Sequence, residues 1–159
     1  MIRLGKLTDY GLLLMSEIAR SPKAELHTAR DLAIKRRLPL PTVSKLLKTL
    51  LQSGLLASHR GIKGGYSLVR EPNQISVAEI VSALEGPLAL TECSTDVAGL
   101  CDLEPSCPIR DNQRIINQVV RGALQKVMLS DLIRPMRLAT IQAGHTNLVQ
   151  VSLAPGRMQ

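Results

Sequence analysis

Leu38-Pro-Leu-Pro41 is the tightest constraint on how this chain folds. A proline lacks a backbone N–H and fixes its own φ, so a helix cannot run through two of them but can begin at one. Beyond them come Val43, Leu46, Leu47, Leu50 and Leu51, three and four residues apart, and then Gly54. This spacing predicts a short amphipathic helix from Thr42 to about Ser53, with Pro41 at its first position and Gly54 closing it. Its apolar stripe faces a core, and Thr42, Ser44, Lys45, Lys48 and Thr49 occupy the other faces.

Two further helices precede it. Thr8 is placed to cap a helix from Asp9 to Ala19, with Leu12, Met15, Ile18 and Ala19 on one face and Ser21-Pro22 ending it. Thr28-Ala-Arg-Asp31 reads as a capping box with aspartate in place of the usual glutamate, opening a second helix through Leu32, Ala33 and Lys35. After Gly54, Leu55–Ser58 and Tyr66–Val69 read as two strands joined by the basic, glycine-rich His59-Arg-Gly-Ile-Lys-Gly-Gly65. Three short helices and a hairpin within about seventy residues match a winged helix-turn-helix, whose third helix enters the major groove of double-stranded DNA while the wing reaches phosphate or the minor groove. The candidate DNA contacts are Thr42, Ser44 and Lys45 at the start of the third helix, Lys48 on phosphate, and Arg60, Lys63, Gly64, Gly65 and Tyr66 in the wing. The three glycines alone are a weak phosphate-loop signal, and no GK[ST] follows them to make a nucleotide site.

Charge and composition bear on the partner. Residues 1–72 carry 13 Lys/Arg against 5 Asp/Glu, and residues 73–159 carry 7 against 8, so the formal charge of +7 lies in the first half. A segregated basic half is the footprint of a polyanion partner, although it also describes an ordinary solvated face. Tyr10 and Tyr66 are the only aromatics in 159 residues, which predicts an aliphatic core and argues against surfaces that stack bases on aromatic rings. No apolar run approaches the roughly 20 residues of a membrane span, so the chain reads as a cytoplasmic protein with no membrane partner. It has neither a nucleophile–base pair nor a dinucleotide fingerprint nor paired catalytic carboxylates, and so does not read as an enzyme.

The second half opens with Ser76-Val-Ala-Glu79, a full capping box, and a helix through Ile80, Val81 and Leu84 that ends at Gly86-Pro87. The only cysteines, Cys93, Cys101 and Cys107, then fall within fifteen residues of one loop. An odd number of cysteines argues against a disulfide framework, and C-x7-C-x5-C lacks the paired knuckle of structural zinc. Such spacing on a loop suits a larger inorganic cluster, with zinc or three incidental thiols as the alternatives. Beyond it, Asp111 opens a predicted long helix to about Leu129, with Ile116, Val119, Val120, Ala123, Leu124, Val127 and Met128 as one apolar stripe, read as the seam of a homodimer. The fold class expected is mainly α with a small β wing. It divides into a winged helix-turn-helix module (1–72), a cysteine loop with a dimerisation helix (73–134) and a tail (135–159) in which 148–153 partly alternates like a strand.

Leu7-Thr-Asp-Tyr-Gly11, Arg60-Gly-x-x-Gly-Gly-Tyr66, Ile75-Ser-Val-Ala-Glu-Ile80 and the cysteine loop together resemble the Rrf-two family of bacterial transcription regulators, over about residues 1–134. The resemblance implies a homodimeric winged-helix repressor with an iron-sulfur cluster, 2Fe-2S or 4Fe-4S, on Cys93, Cys101 and Cys107, whose state controls affinity for operator DNA. Within the family the chain is most similar to regulators of SUF iron-sulfur assembly genes. A nitric-oxide- or redox-sensing repressor of the same family is the alternative, and an iron-sulfur carrier or redox protein a more distant one. IscR-type members place a histidine ligand three residues after the third cysteine, where this chain has Arg110. NsrR-type members use an aspartate of the partner's first helix, and the matching residue here is Asp9; Glu92 and Glu104 are substitutes for it, and a carboxylate complementing a helix dipole is the simpler reading of Asp9. His27, His59 and His145 lie at no ligand spacing and read as surface or DNA-side residues. IscR-type members carry a glutamate where Ser44 stands, so their operator preference does not transfer.

Overall fold

The computed structural model describes residues 4–22, 25–61, 63–95 and 99–134. Among these residues six α-helices and a two-stranded antiparallel sheet follow in the order α1 (Lys6–Arg20), α2 (Ala29–Arg36), α3 (Leu40–Gln52), β1 (Leu56–His59), β2 (Gly65–Leu68), α4 (Val77–Glu85), α5 (Arg110–Lys126) and α6 (Leu129–Leu132). The core between α1, α2, α3 and α4 is aliphatic, as the scarcity of aromatics requires: Leu14, Met15, Leu32, Val43, Leu47, Leu50, Ile75, Ile80 and Leu129 are essentially sealed from solvent. Tyr10 and Tyr66 pack only at its margin.

The predicted helices are present, with ends that move for identifiable reasons. The first begins at Lys6, because Thr8 does not cap it. Thr8 is fully buried, and its hydroxyl donates instead to the Glu85 carboxylate, which also accepts from the Gly5 N–H and so ties the start of α1 to the end of α4. Those two helices cross closely at Gly11, where a Cβ would collide with the Leu84 side chain. Thr28 caps α2 as expected, accepting from the Asp31 N–H at 3.1 Å. Helix α3 starts at Leu40, two residues before the expected start at Thr42. Val43, Leu46, Leu47 and Leu50 are buried, as their spacing predicts.

The hairpin pairs Leu56 with Leu68 and His59 with Gly65. Its inner strand is docked by backbone bonds between His27 and Tyr66 in both directions, at 2.9 and 3.0 Å. Gly65 permits this docking, since a Cβ there would stand 2.9 Å from the His27 carbonyl oxygen. His27 is therefore buried, not a surface residue.

The last predicted helix is interrupted. Helix α5 ends at Lys126, Val127 turns extended, and the chain forms a short backbone ladder with the start of α4: Val77 N–H to Val127 O and Leu129 N–H to Ile75 O, both 2.8 Å. Leu129 then inserts into the core and α6 packs on α1. Among the described residues no helix is long and apolar enough to cross a membrane. The expected alternation at 148–153, His145 and the whole of 135–159 lie outside the described residues.

Candidate nucleic-acid interface and cysteine loop

Helix α3 turns its apolar stripe into the core and presents Ser44, Lys45 and Lys48 to solvent, with Thr42 half-buried at its first turn. Arg60 and Lys63 are exposed at the tip of the hairpin. Gly64 and Gly65 serve close backbone packing, and Tyr66 is half-buried against the core, so these three shape the wing from beneath. His59 bridges the strands through a 2.9 Å bond between Nε2 and Ser67 Oγ.

The basic residues are not equivalent. Glu17, buried in α1, forms ion pairs with Lys35 and Arg36 of α2 and neutralises two cations while locking the two helices together. Nothing in the spacing of α1 singles out Glu17, because it lies among apolar neighbours on the buried face. Arg70 is likewise engaged, 2.6 Å from the Glu79 carboxylate.

Between α4 and α5 the chain makes short turns at Glu92–Ser94 and Glu104–Ser106. Cys93 is buried with its sulfur 3.3 Å from Thr91 Oγ1, Cys101 and Cys107 are half-buried, and all three thiols are free. The loop is held by one face of α5. Asn117, the only buried residue of that helix, accepts from the Leu90 N–H at 3.1 Å and donates to the Leu88 and Ser94 carbonyls at 3.3 and 3.4 Å. Arg114 donates from Nε to the Cys93 carbonyl at 3.2 Å and from Nη2 to Glu104 at 2.9 Å, so one side chain spans the segments before and after Cys101. Glu104 also pairs with Arg110 at 3.1 Å. Arg110, Arg114 and Asn117 stand four and three residues apart on the inward face of α5, a polar periodicity visible in the sequence but eclipsed by the apolar one. The opposite face is bare: Ile109, Ile115 and Ile116 are about half exposed, at 51, 51 and 49%.

As possible iron or cluster ligands these residues differ. The three free thiols of one loop are a donor set that suits iron. In the arrangement described they do not converge: among the described residues no three His, Cys, Asp or Glu side chains lie close enough to hold a metal ion. Glu104 is committed to two arginines, whereas Asp9 in the first turn of α1 is exposed. Glu92 is exposed beside Cys93.

A short helix, a tight turn, a helix with its cations outward and a basic wing define a DNA-binding winged helix-turn-helix regulator. The chain belongs to the Rrf2 family, described as an iron-dependent transcriptional regulator, whose profile matches residues 4–135; it is a regulator and not an enzyme. It is 31% identical over 124 residues to the HTH-type transcriptional regulator NsrR of Shouchella clausii (strain KSM-K16), covering 78% of this chain and 81% of that one. It is 25% identical over 158 residues to IscR of Salmonella paratyphi B, covering 99 and 94%. Among solved structures it is similar to CymR, the global cysteine regulator of B. subtilis, with a TM-score of 0.68 and 27% identity over 86% of this chain and all of that one.

Proposed function

We propose that this protein is a homodimeric repressor of iron-sulfur assembly (SUF) genes whose iron-sulfur cluster, 2Fe-2S or 4Fe-4S, sets its affinity for operator DNA. The reading is carried by one observation: α5 grips a loop of three free thiols with its polar face and leaves its apolar face uncovered. Cys93, Cys101 and Cys107 would hold the cluster, with Asp9 of a second copy as fourth ligand. When bound, the cluster supplies an iron-sulfur unit sensitive to oxidants and iron supply. The chain's own residues do the rest. Asn117 and Arg114 keep the loop against α5, Arg110 is occupied by Glu104, and Asp9 sits on α1, which packs against α3. A ligand on α1 thus links the cysteine loop to the helix proposed to read DNA. The division into modules 1–72 and 73–134 belongs to the same proposal, with Thr42, Ser44, Lys45, Lys48, Arg60 and Lys63 as the contacting residues and Gly64, Gly65 and Tyr66 shaping the wing.

Anaerobic purification with visible absorption, iron and sulfide analysis, and DNA binding on the same samples tests this. A coloured protein whose affinity for the DNA upstream of its own gene changes on cluster removal is expected. Cys101→Ala abolishes both colour and that change, and unchanged absorbance in this variant would sink the proposal. A nitric-oxide- or redox-sensing repressor is the second reading, favoured by Arg110, which stands where IscR-type members have a histidine ligand and cannot be deprotonated to bind iron. Faster cluster loss with nitric oxide than with iron chelation would select it.

A further inference from the structure

Arg37 is the only non-glycine residue among those described with a positive φ, at 52° with ψ 42°. It closes α2 in a Schellman arrangement. Its N–H bonds to the Ile34 carbonyl at 3.2 Å, the Leu38 N–H bonds to the Ala33 carbonyl at 3.0 Å, and the Leu38 side chain packs on the core. Glycine is the residue this position favours, because a Cβ in the left-handed region crowds the backbone. The fold therefore holds an arginine where it would be more stable with glycine.

Complementing the α2 dipole does not account for it. Lys35 and Arg36 already stand in the last turn of that helix, and both are paired with Glu17. Arg37 is exposed and, unlike them, makes no ion pair among the described residues. It lies three residues before Leu40, where α3 begins, and five before Thr42. The surface around it is uncovered too, with Ile34 72% and Leu40 40% exposed. A free guanidinium at the turn that delivers a recognition helix suits a phosphate oxygen, which it can bind with two parallel N–H donors.

We propose that Arg37 is a DNA-backbone contact, gripping a phosphate beside the entry of α3 into the groove, and that the strained turn is retained for this contact. The inference rests on the DNA-binding reading of α3 and the wing, and the test separates the two. Arg37→Gly, Arg37→Lys and Lys48→Ala are titrated by fluorescence anisotropy against a short random-sequence duplex and a duplex covering the DNA upstream of the protein's own gene, over a range of salt concentrations. Thermal melting is run alongside. Arg37→Gly is expected to melt at or above the wild-type temperature, to bind both duplexes about sixtyfold more weakly at 0.1 M salt, and to flatten the slope of log affinity against log salt by about 1.8, the counterion term of two phosphates, one for each copy of the proposed dimer. Arg37→Lys keeps the slope. The slope decides: a wild-type slope in Arg37→Gly while Lys48→Ala flattens it overturns the Arg37 contact and leaves the DNA-binding reading standing. A wild-type protein that binds neither duplex overturns both.

Discussion

Glu17 ties α1 to α2 through its pairs with Lys35 and Arg36. Its side chain is 4% exposed and its two cationic partners are 59 and 24% exposed, so replacing it strands little charge but removes the link between α1 and α2. Glu17→Gln is expected to lose about 1–3 kcal/mol, less than for a fully buried pair because Lys35 and Arg36 can rehydrate. Urea denaturation measures it. Glu79 makes a second, pH-dependent contribution. Its carboxylate accepts from the Ser76 N–H at 2.9 Å and from Arg70 at 2.6 Å; burial works to raise its pKa, but the Ser76 and Arg70 interactions outweigh it and hold the group below the ordinary glutamate value. The native state thus binds this proton more weakly than the unfolded chain does. The stabilisation is complete above the ordinary glutamate range and is lost as pH falls through the lowered native value. Melting curves taken down through that range should fall more steeply for wild type than for Glu79→Gln, and parallel curves would refute the assignment. Neither residue's partners were legible in the sequence in equal measure: the Ser76–Glu79 box announces itself by spacing, whereas Glu17 meets Lys35 and Arg36 only because two helices pack.

At the scale of elements, the legible parts are those whose signal is local. Leu38-Pro-Leu-Pro41, the Val43 to Leu51 stripe and the glycine-rich hairpin locate α3 and the wing to within two residues. The ends that shift do so for tertiary reasons: Thr8 is drawn from the cap to Glu85, and Val127 leaves the helix to pair with Val77. Helix α5 was legible as a helix with an apolar stripe, and Ile116 and Val119 of that stripe stay exposed in the single chain. Its opposite, polar face, buried through Asn117, was not legible. The three cysteines were legible as a group, but their tether to α5 was not, since Arg114 reaches Cys93 across 21 residues of sequence. Asn117→Ala tests that tether. Losing three backbone hydrogen bonds is expected to cost about 1.5–4 kcal/mol. Hydrogen exchange should quicken at 88–94, and Cys93 should alkylate faster than in wild type in the metal-free protein. Unchanged alkylation with lowered stability would reduce Asn117 to a packing role.

For the whole molecule, the proposed two-fold dimer would cover the bare face of α5 and bring two basic halves to one duplex. Ile115, Ile116 and Val119 remain 51, 49 and 38% exposed, and a helix that turns such residues outward while burying an asparagine is built to meet a second surface. In the proposed dimer a second copy would present the same face, and two-fold symmetry would place the two α3 helices on successive half-sites. Each copy would bring its own basic half, 13 Lys/Arg against 5 Asp/Glu in residues 1–72, and so double the phosphates neutralised. Ile116→Glu with Val119→Glu changes exposed positions, so the subunit fold should survive with a wild-type far-ultraviolet circular dichroism spectrum. Sedimentation should then fall from twice the 17.3 kDa chain mass to one, and the slope of log DNA affinity against log salt should drop by about half. The paired readout separates dimerisation from DNA contact. A double variant that sediments as monomer yet keeps the full salt slope would mean that one copy makes every phosphate contact, and a wild type that is monomeric at micromolar concentration would leave the apolar face of α5 to some other partner.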